Sequence, residues 1–337
     1  MIGLSRYRNF HDPVGVVSRA LRSGSRAARR MLARELAVVL LTPVDLVLSV
    51  HEQRLEHVGE RPSQHPIVLV VGPPRAGTTL VYQTLAHHLP FSFFNNLSSL
   101  FPRSPITACK AFNRFLPSGE LNADSYYGNT VELGAPNDGF HVWNRWLGED
   151  RYHPPSHLSV QQQASMRSFF NAWNHQFDRP FLNKNNRNMM CLELLDSTLD
   201  NVTFIVVKRD PFYVAQSLLK AREDVQGDRS IGWGAGADDG QLNPAASPLE
   251  QVADQTRRLY EQLEMSERRV PAASVVDVQY EQFCRDPTSF VCMIRERVWG
   301  AQATSDHTLG TIAPFHVRNE DRLSEGEANE LRRLLEY

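Results

Sequence analysis

The sequence predicts an α/β fold in which a mainly parallel sheet is flanked by helices and carries irregular insertions on its substrate side. Three observations predict it. Ile67–Val71 (IVLVV) and Val202–Val207 (VTFIVV) are continuous apolar runs rich in β-branched residues, the pattern of strands covered on both faces. Each is followed by a turn and then a helix-like segment, the alternation that builds parallel sheets. The 337 residues are 42% apolar and 22% charged, a globular balance that excludes disorder, collagen and coiled coil.

In chain order, residues 1–34 form a basic arm with Arg6, Arg8, Arg19, Arg22, Arg26, Arg29, Arg30 and Arg34 against the single acid Asp12. Leu36–Leu48 predicts one or two short apolar helices broken near Thr42-Pro43, because proline disfavours helix in the residue before it. Arg61–Pro66 is a polar linker. These segments make up residues 1–65, and residues 66–337 make up the main domain. The first strand leads through Gly72–Thr79 into a helix over Leu80–Leu89. The second leads through Arg209-Asp210-Pro211 into a helix over Val214–Ala221. Val275–Val278 predicts a third strand. Leu249–Met265 and Ser324–Leu335 predict amphipathic helices, the latter opened by a capping box of Ser324 and Glu327. Residues 90–160, rich in Phe, Trp, Pro, Asn and His, and residues 224–248, rich in Gly, Asp and Ala, predict irregular lids or substrate loops.

Charge and cysteine narrow the function. Thirty-six basic against 38 acidic residues give a net charge of −2, which makes no case for nucleic-acid binding. Cys109, Cys191, Cys284 and Cys292 form no CxxC pair, so neither a zinc site nor a disulfide framework is indicated and the expected compartment is reducing and cytoplasmic. The longest apolar run, Leu36–Val50, is broken by Pro43 and Asp45 and is short of the ~20 residues a span needs. The basic arm also suits the surface of an anionic membrane. The two interruptions favour the plainer reading, a polar tail followed by a helix packed on the domain.

Gly72-Pro-Pro-Arg75-Ala76-Gly77-Thr78-Thr79 places two glycines five residues apart between a strand and a helix, a P-loop-like spacing. Backbone N–H groups of such a turn, with the helix N-terminus behind them, cradle an anion. Where a P-loop carries lysine this chain has Thr78, and the cation is Arg75. Arg209-Asp210-Pro211 likewise follows a strand, with Ser217 eight residues on. Arg209 and Ser217 can therefore converge on an anion at the carboxyl edge of the sheet.

Taken together, PRAGTT at Pro74–Thr79 and RDPFYVAQS at Arg209–Ser217 resemble the paired motifs of the sulfotransferases that use 3′-phosphoadenosine-5′-phosphosulfate (PAPS). Gln279-Tyr280-Glu281-Gln282-Phe283 with Asp286-Pro287 resembles the family's YEDL…DP segment, and the resemblance covers roughly residues 66–300. It is nearer the bacterial and carbohydrate-type branch than the cytosolic small-molecule branch, whose C-terminal RKG segment is missing. The resemblance implies that Arg75, Ala76, Gly77, Thr78 and Thr79 bind the 5′-phosphosulfate and Arg209 and Ser217 the 3′-phosphate. Tyr280 would approach the adenine, the product would be 3′-phosphoadenosine-5′-phosphate (PAP), and no metal is expected. Ala76 stands where the family has serine. Arg318 is a further candidate for the 3′-phosphate, although a surface arginine is its plainer reading.

Sulfonyl transfer requires in-line positioning, a cation at the leaving oxygen and a base for the acceptor. Lys184, 25 residues before Arg209, falls where the cytosolic relatives carry a KTH segment and is the candidate cation. Asn186 falls in place of that segment's histidine and cannot act as a base. Glu132, Asp138 and His141, in a segment similar to the acidic one of some relatives, remain as candidate bases. Phe91, Phe93, Phe94, Phe101, Trp143, Trp146 and Trp173 are either acceptor walls or core. The implied acceptor is a small molecule, glycan or lipid. The alternatives to a sulfotransferase are a P-loop kinase or NTPase, against which Thr78 and the second anion motif argue, and a non-catalytic nucleotide-binding scaffold. Oligomeric state is not legible.

Overall fold

A computed structural model describes residues 26–112, 132–150, 153–236, 245–300 and 310–336, with residues 15, 17, 18, 22 and 243. Most of the arm, including Arg6, Arg8, Asp12 and Arg19, lies outside the described residues.

Among the described residues five parallel strands form one sheet: β1 (Ile67–Val71), β2 (Ser92–Phe93), β3 (Phe181–Lys184), β4 (Val202–Lys208) and β5 (Val275–Gln279), in the order β2-β3-β1-β4-β5. The apolar runs form its centre because they are covered on both faces. Along β1, Ile67, Leu69 and Val71 enter one core and Val68 and Val70 the other. β4 divides in the same way, with Phe204 and Val206 on the first side and Ile205 and Val207 on the second. The first core lies under α5 (Val160–Phe177), α6 (Leu192–Thr198), α7 (Pro211–Ala221), α8 (Pro248–Glu267) and α11 (Glu325–Leu335); the second lies under α2 (Thr78–His88), α9 (Tyr280–Arg285) and α10 (Pro287–Trp299). The result is a three-layer α/β domain. The predicted capping box forms, with Ser324 Oγ accepting from the Glu327 amide.

β1 sits between β3 and β4, and each starts a connection at the same carboxyl edge. This is the switch in strand order at which open α/β sheets place their ligands. The edge receives the 72–77 turn after β1, Asn185-Asn186 after β3, Arg209-Asp210 after β4 and Tyr280 after β5.

Two expectations are corrected. Leu36–Leu48 is not broken at Pro43 but lies within one continuous helix, α1 (Arg26–Val58). A proline inside a helix costs ~3 kcal/mol, so tertiary contacts hold it through. Asp45 and Glu52, each 1% exposed, reach the start of α3 (Pro105–Phe112). Ser104 Oγ donates to Asp45 Oδ1 at 2.6 Å, and the amides of Ile106 and Thr107 donate to Glu52 at 3.0 and 2.8 Å. Two carboxylates on α1 thus cap α3. Second, residues 90–160 are not irregular throughout, since they hold β2, α3 and α4 (Phe140–Leu147). Of the aromatics read as either acceptor walls or core, most are core: Phe94 and Trp143 are fully buried, Trp173 is 1% exposed, and Phe91, Phe101 and Trp146 are buried with them. Phe93 is half-buried.

Candidate active site

The 72–77 turn is fixed by what a side chain would strike. A Cβ on Gly72 would lie 2.3 Å from Val207 O, and one on Gly77 (φ 96°) 2.3 Å from the Tyr280 ring. Arg75 itself takes φ 73°, a left-handed conformation costing a non-glycine residue about 1–3 kcal/mol that tends to mark functional sites. Ala76 turns the other way: its methyl is buried in the core and its amide bonds Pro73 O at 3.1 Å. A hydroxyl at position 76 would face the core, so the absence of the family's serine takes nothing from the open side. Gly77 begins α2 with no side-chain cap, so the amides of the first turn face the edge of the sheet.

The two motifs meet directly. Arg75 Nε donates to Ser217 Oγ at 2.8 Å, from the turn after β1 to the second turn of α7. Arg209 Nη1 donates to Arg75 O at 3.0 Å. The rest of the Arg209 fork is held from a segment distant in sequence: Nε and Nη2 donate to Asn319 Oδ1 at 3.1 and 2.9 Å, and Nη2 also to Arg318 O. Its guanidinium lies 4.7 Å from the Tyr280 ring centroid. Burial draws its pKa below the ordinary arginine value, an effect opposed by Tyr280 and Glu281. Arg75, Arg209, Arg229, Arg318 and Arg322 with Lys220 line a cavity of about 450 Å³. One acid, Glu223, joins them and is bonded to Arg229 at 3.4 Å. Such a field selects anions.

Tyr280 is 5% exposed. Its ring packs on Gly77 and under the Arg209 guanidinium, and its hydroxyl accepts from the Arg318 amide at 3.5 Å.

The second group lies at the end of β3. Lys184 pairs in register with Val70 and is 9% exposed. Burial pushes its ammonium pKa down, Asp138 pulls it up and Arg75 pushes it further down. Lys184 therefore feels both the acid beyond β3 and the cation after β1. Thr78 Oγ1 donates to Asn186 Oδ1 at 3.2 Å. Asp138 is exposed, its Oδ1 accepts the Phe140 amide at 3.3 Å and its carbonyl accepts from Asn185 Nδ2 at 3.4 Å. The preceding carbonyl, of Asn137, is gripped by Tyr82 Oη and Asn183 Nδ2, both at 3.1 Å. Asp138 is thus tied to β3 and α2. Glu132 lies at the start of the same loop, its carbonyl bonded by Asn96 Nδ2 at 2.7 Å, and Asn96 in turn accepts from Asn137 Nδ2 at 2.8 Å. His141 is half-buried on α4. Among the described residues no cluster of three or more His, Cys, Asp or Glu is placed to hold a metal ion.

Sequence reasoning missed Asn319, Glu281, Arg229 and Arg322. Only Glu281 carried a signal, its place beside Tyr280. The others converge from loops that no motif marks.

Comparison with known proteins identifies the family and the fold. The model of a sulfotransferase family matches residues 66–298. Among solved structures, the chain is similar to sulfotransferase STF9 from Mycobacterium avium (16% identity, 82% of this chain and 74% of that one, TM-score 0.52). It is also similar to sulfotransferase STF1 from Mycobacterium tuberculosis H37Rv (13% identity, 96% and 90%, TM-score 0.50). At these identities the likeness to both is one of fold. No curated protein matches significantly.

Proposed function

Because this chain belongs to the sulfotransferase family, we propose that it moves a sulfonyl group from PAPS to a hydroxyl or amine of a carbohydrate, lipid or secondary metabolite. The observation that carries the choice of donor is the join between the motifs: Arg75 on Ser217 at 2.8 Å and Arg209 on the carbonyl of Arg75 at 3.0 Å. A nucleoside triphosphate needs one anion cradle. A nucleotide phosphorylated on both the 3′ and 5′ positions needs two, at a fixed separation and on one wall.

In this reading Gly77, Thr78 and Thr79 hold the 5′ end by their amides and hydroxyls, and Arg75 reaches over it. Arg209 and Ser217 take the 3′-phosphate. Arg318, which lines the same cavity, joins them. Tyr280 has its ring in contact with Gly77 and Arg209, which favours a role in holding the arginine over one in stacking adenine. Ala76, facing the core, shapes the turn.

The reaction breaks the bond from sulfur to the bridging oxygen of the phosphosulfate and forms one from sulfur to the acceptor oxygen or nitrogen. The acceptor's proton passes to a base, and PAP leaves with the electron pair of the broken bond. Lys184 neutralises charge growing on the bridging oxygen. Asp138 is the preferred base over Glu132 and His141, because it lies within electrostatic reach of Lys184 and its carboxylate is exposed to an incoming acceptor. Asn186, bonded to Thr78, orients that threonine.

The test is transfer of labelled sulfate from PAPS to a panel of glycans, phenols and lipids, beside calorimetric titration with PAP and ATP. A labelled product that disappears in R75A and R209A supports the reading. Binding of ATP without PAP would move the chain to nucleoside-triphosphate chemistry. Tight PAP binding without transfer to any acceptor would leave a scaffold.

A further inference from the structure

Helix α1 has two unlike faces. The inward face meets the domain through an apolar patch, Val38 with Ala37, Leu41 and Leu48 on Leu97, Leu100 and Phe101, and through polar contacts, Asp45 and Glu52 on the start of α3 and Arg34, whose Nη1 donates to Asn96 Oδ1 at 2.9 Å. The outward face is apolar. Leu36 is 62% exposed, Leu40 69%, Val47 72% and Val50 58%, with Val39 and Val44 beside them and Pro43 at the centre. The 36-40-43-47-50 spacing is one continuous stripe of a helix. An apolar stripe of this length left in water marks a contact surface. Leu36–Val58 is long and apolar enough to cross a membrane by length and composition, and 11% of its most apolar window is buried.

We infer that this stripe seats the enzyme on the surface of an anionic membrane, with α1 lying in the interface rather than spanning it. Geometry decides between spanning and lying. The stripe from Leu36 to Val50 is about 22 Å long at ~1.5 Å per residue, short of the ~30 Å hydrocarbon core. Spanning would also draw Asp45 and Glu52 into lipid and strip the start of α3 of its caps. Lying flat leaves those bonds intact and buries only what is already exposed.

Charge selects the occupant. Exposed Arg22 precedes the stripe and exposed Arg54 follows it; the sequence adds Arg19, Arg26, Arg29 and Arg30 on the N-terminal side against the single acid Glu35 over residues 19–35, and the acids beyond Arg54, Glu56 and Glu60, are paired with Arg145 and His57. A second copy of the helix is the competing partner. Parallel pairing would set Arg54 beside its own copy, and antiparallel pairing would run the arginine-rich N-terminal sequence of one copy towards Arg54 of the other. Both repel, whereas anionic headgroups complement the cations at both ends of the apolar stretch. The membrane-facing helix also adjoins the acceptor side. Asn96, bonded by Arg34, accepts from Asn137 Nδ2 at 2.8 Å, one residue from Asp138.

The experiment is flotation of the full-length protein with vesicles of phosphatidylcholine alone and of phosphatidylcholine with 30% phosphatidylglycerol, at low and high salt, beside light scattering of the free protein. The parent is expected to float with the anionic vesicles, to bind at least tenfold less to neutral ones, and to be monomeric. L40D and V47D, on exposed positions outside the nucleotide cavity, should lower anionic binding at least tenfold while keeping the parent's PAP affinity and circular dichroism. R54E should lower it severalfold. Failure of the parent to float, flotation untouched by L40D and V47D, or a parent dimer that those substitutions dissociate would each overturn the inference, the last in favour of a second copy.

Discussion

The two sides of the sheet's carboxyl edge are built on different plans. The side after β1 and β4, which we assign to the donor, draws its arginines from two short motifs, each on a strand-to-helix turn, and these contact one another directly. The side after β3, which we assign to the acceptor, is assembled from Lys184, Asn186 and a loop about fifty residues earlier, and asparagines with the Tyr82 hydroxyl hold it together. A polyanionic nucleotide needs fixed cations, which local sequence can specify. An acceptor needs a shaped edge with one cation and one base, which only tertiary structure brings together. Predictions that separate affinity from turnover therefore separate the two sides.

The largest effect is expected at the join. R75A should weaken PAP binding by about 10²–10³-fold, as loss of a charge-assisted phosphate contact does, and abolish transfer. Its melting temperature should stay within about 3 °C of the parent, because alanine removes no core contact. R209A should lose binding similarly but melt lower, since Arg209 also ties down Arg318 and Asn319. Titration calorimetry and thermal melts read both. Parental PAP affinity in the two variants would dissolve the distinction between the sides.

Next comes Lys184. K184M should cut turnover about 10²-fold, the scale of one preorganised electrostatic contact, with PAP affinity within about threefold. Burial lowers the Lys184 pKa below its ordinary 10.5, so the parent's turnover should fall on an alkaline limb beginning below that value, and K184M should lack the limb. The same shift makes the ammonium a cost to folding while it is protonated. K184M should melt a few degrees higher at neutral pH, and the gain should fade as pH rises through the depressed pKa towards 10.5. Equal loss of affinity and turnover would return Lys184 to the donor side.

The same contrast explains what could be read from the sequence. β1 and β4 are legible because burial on both faces demands uninterrupted apolar residues. β3 is not, because Phe-Leu-Asn-Lys is four residues long and half polar; Asn183 is fully buried in it only because Trp143 Nε1 and Asn137 O satisfy its amide. α5 carries a signal, with Met166, Phe169, Phe170 and Trp173 at helical spacing and a capping box of Ser159 and Gln162, but three consecutive glutamines obscure its start. Pro43 argues locally for a break in α1, and two buried carboxylates overrule it. Arg75 and Arg209 were visible as motif residues. Asn319, which orients Arg209 from 110 residues away, was visible to no local rule.

A smaller effect tests the fit between Gly77 and Tyr280. G77A introduces a Cβ 2.3 Å from the ring at a φ of 96°, so strain and ring displacement add. PAP affinity should fall about tenfold and the melting temperature by several degrees. Adding Y280A removes the clash but leaves the strain, so the double variant should recover melting temperature in part. It should not recover affinity, because the arginine has then lost its ring. Recovery of both would mean that Tyr280 merely fills space.

The smallest effect bears on how the donor side is kept in order. Glu281 Oε1 accepts from Asn319 Nδ2 at 3.0 Å and from the Asp210 amide at 3.3 Å. A carboxylate only accepts, so it forces the amide of Asn319 to turn its nitrogen towards Glu281 and its oxygen towards Arg209. Glutamine at 281 keeps the size but can donate as well, which frees Asn319 to flip and present an NH₂ to a guanidinium. E281Q should therefore raise the PAP dissociation constant about fivefold with turnover at saturation unchanged, and N319A should do about the same. Because the two act through one arginine, the double variant should be no worse than the worse single one. Additive losses would mean that Glu281 and Asn319 serve the nucleotide separately, and that the donor side is less unified than the contact between its two motifs implies.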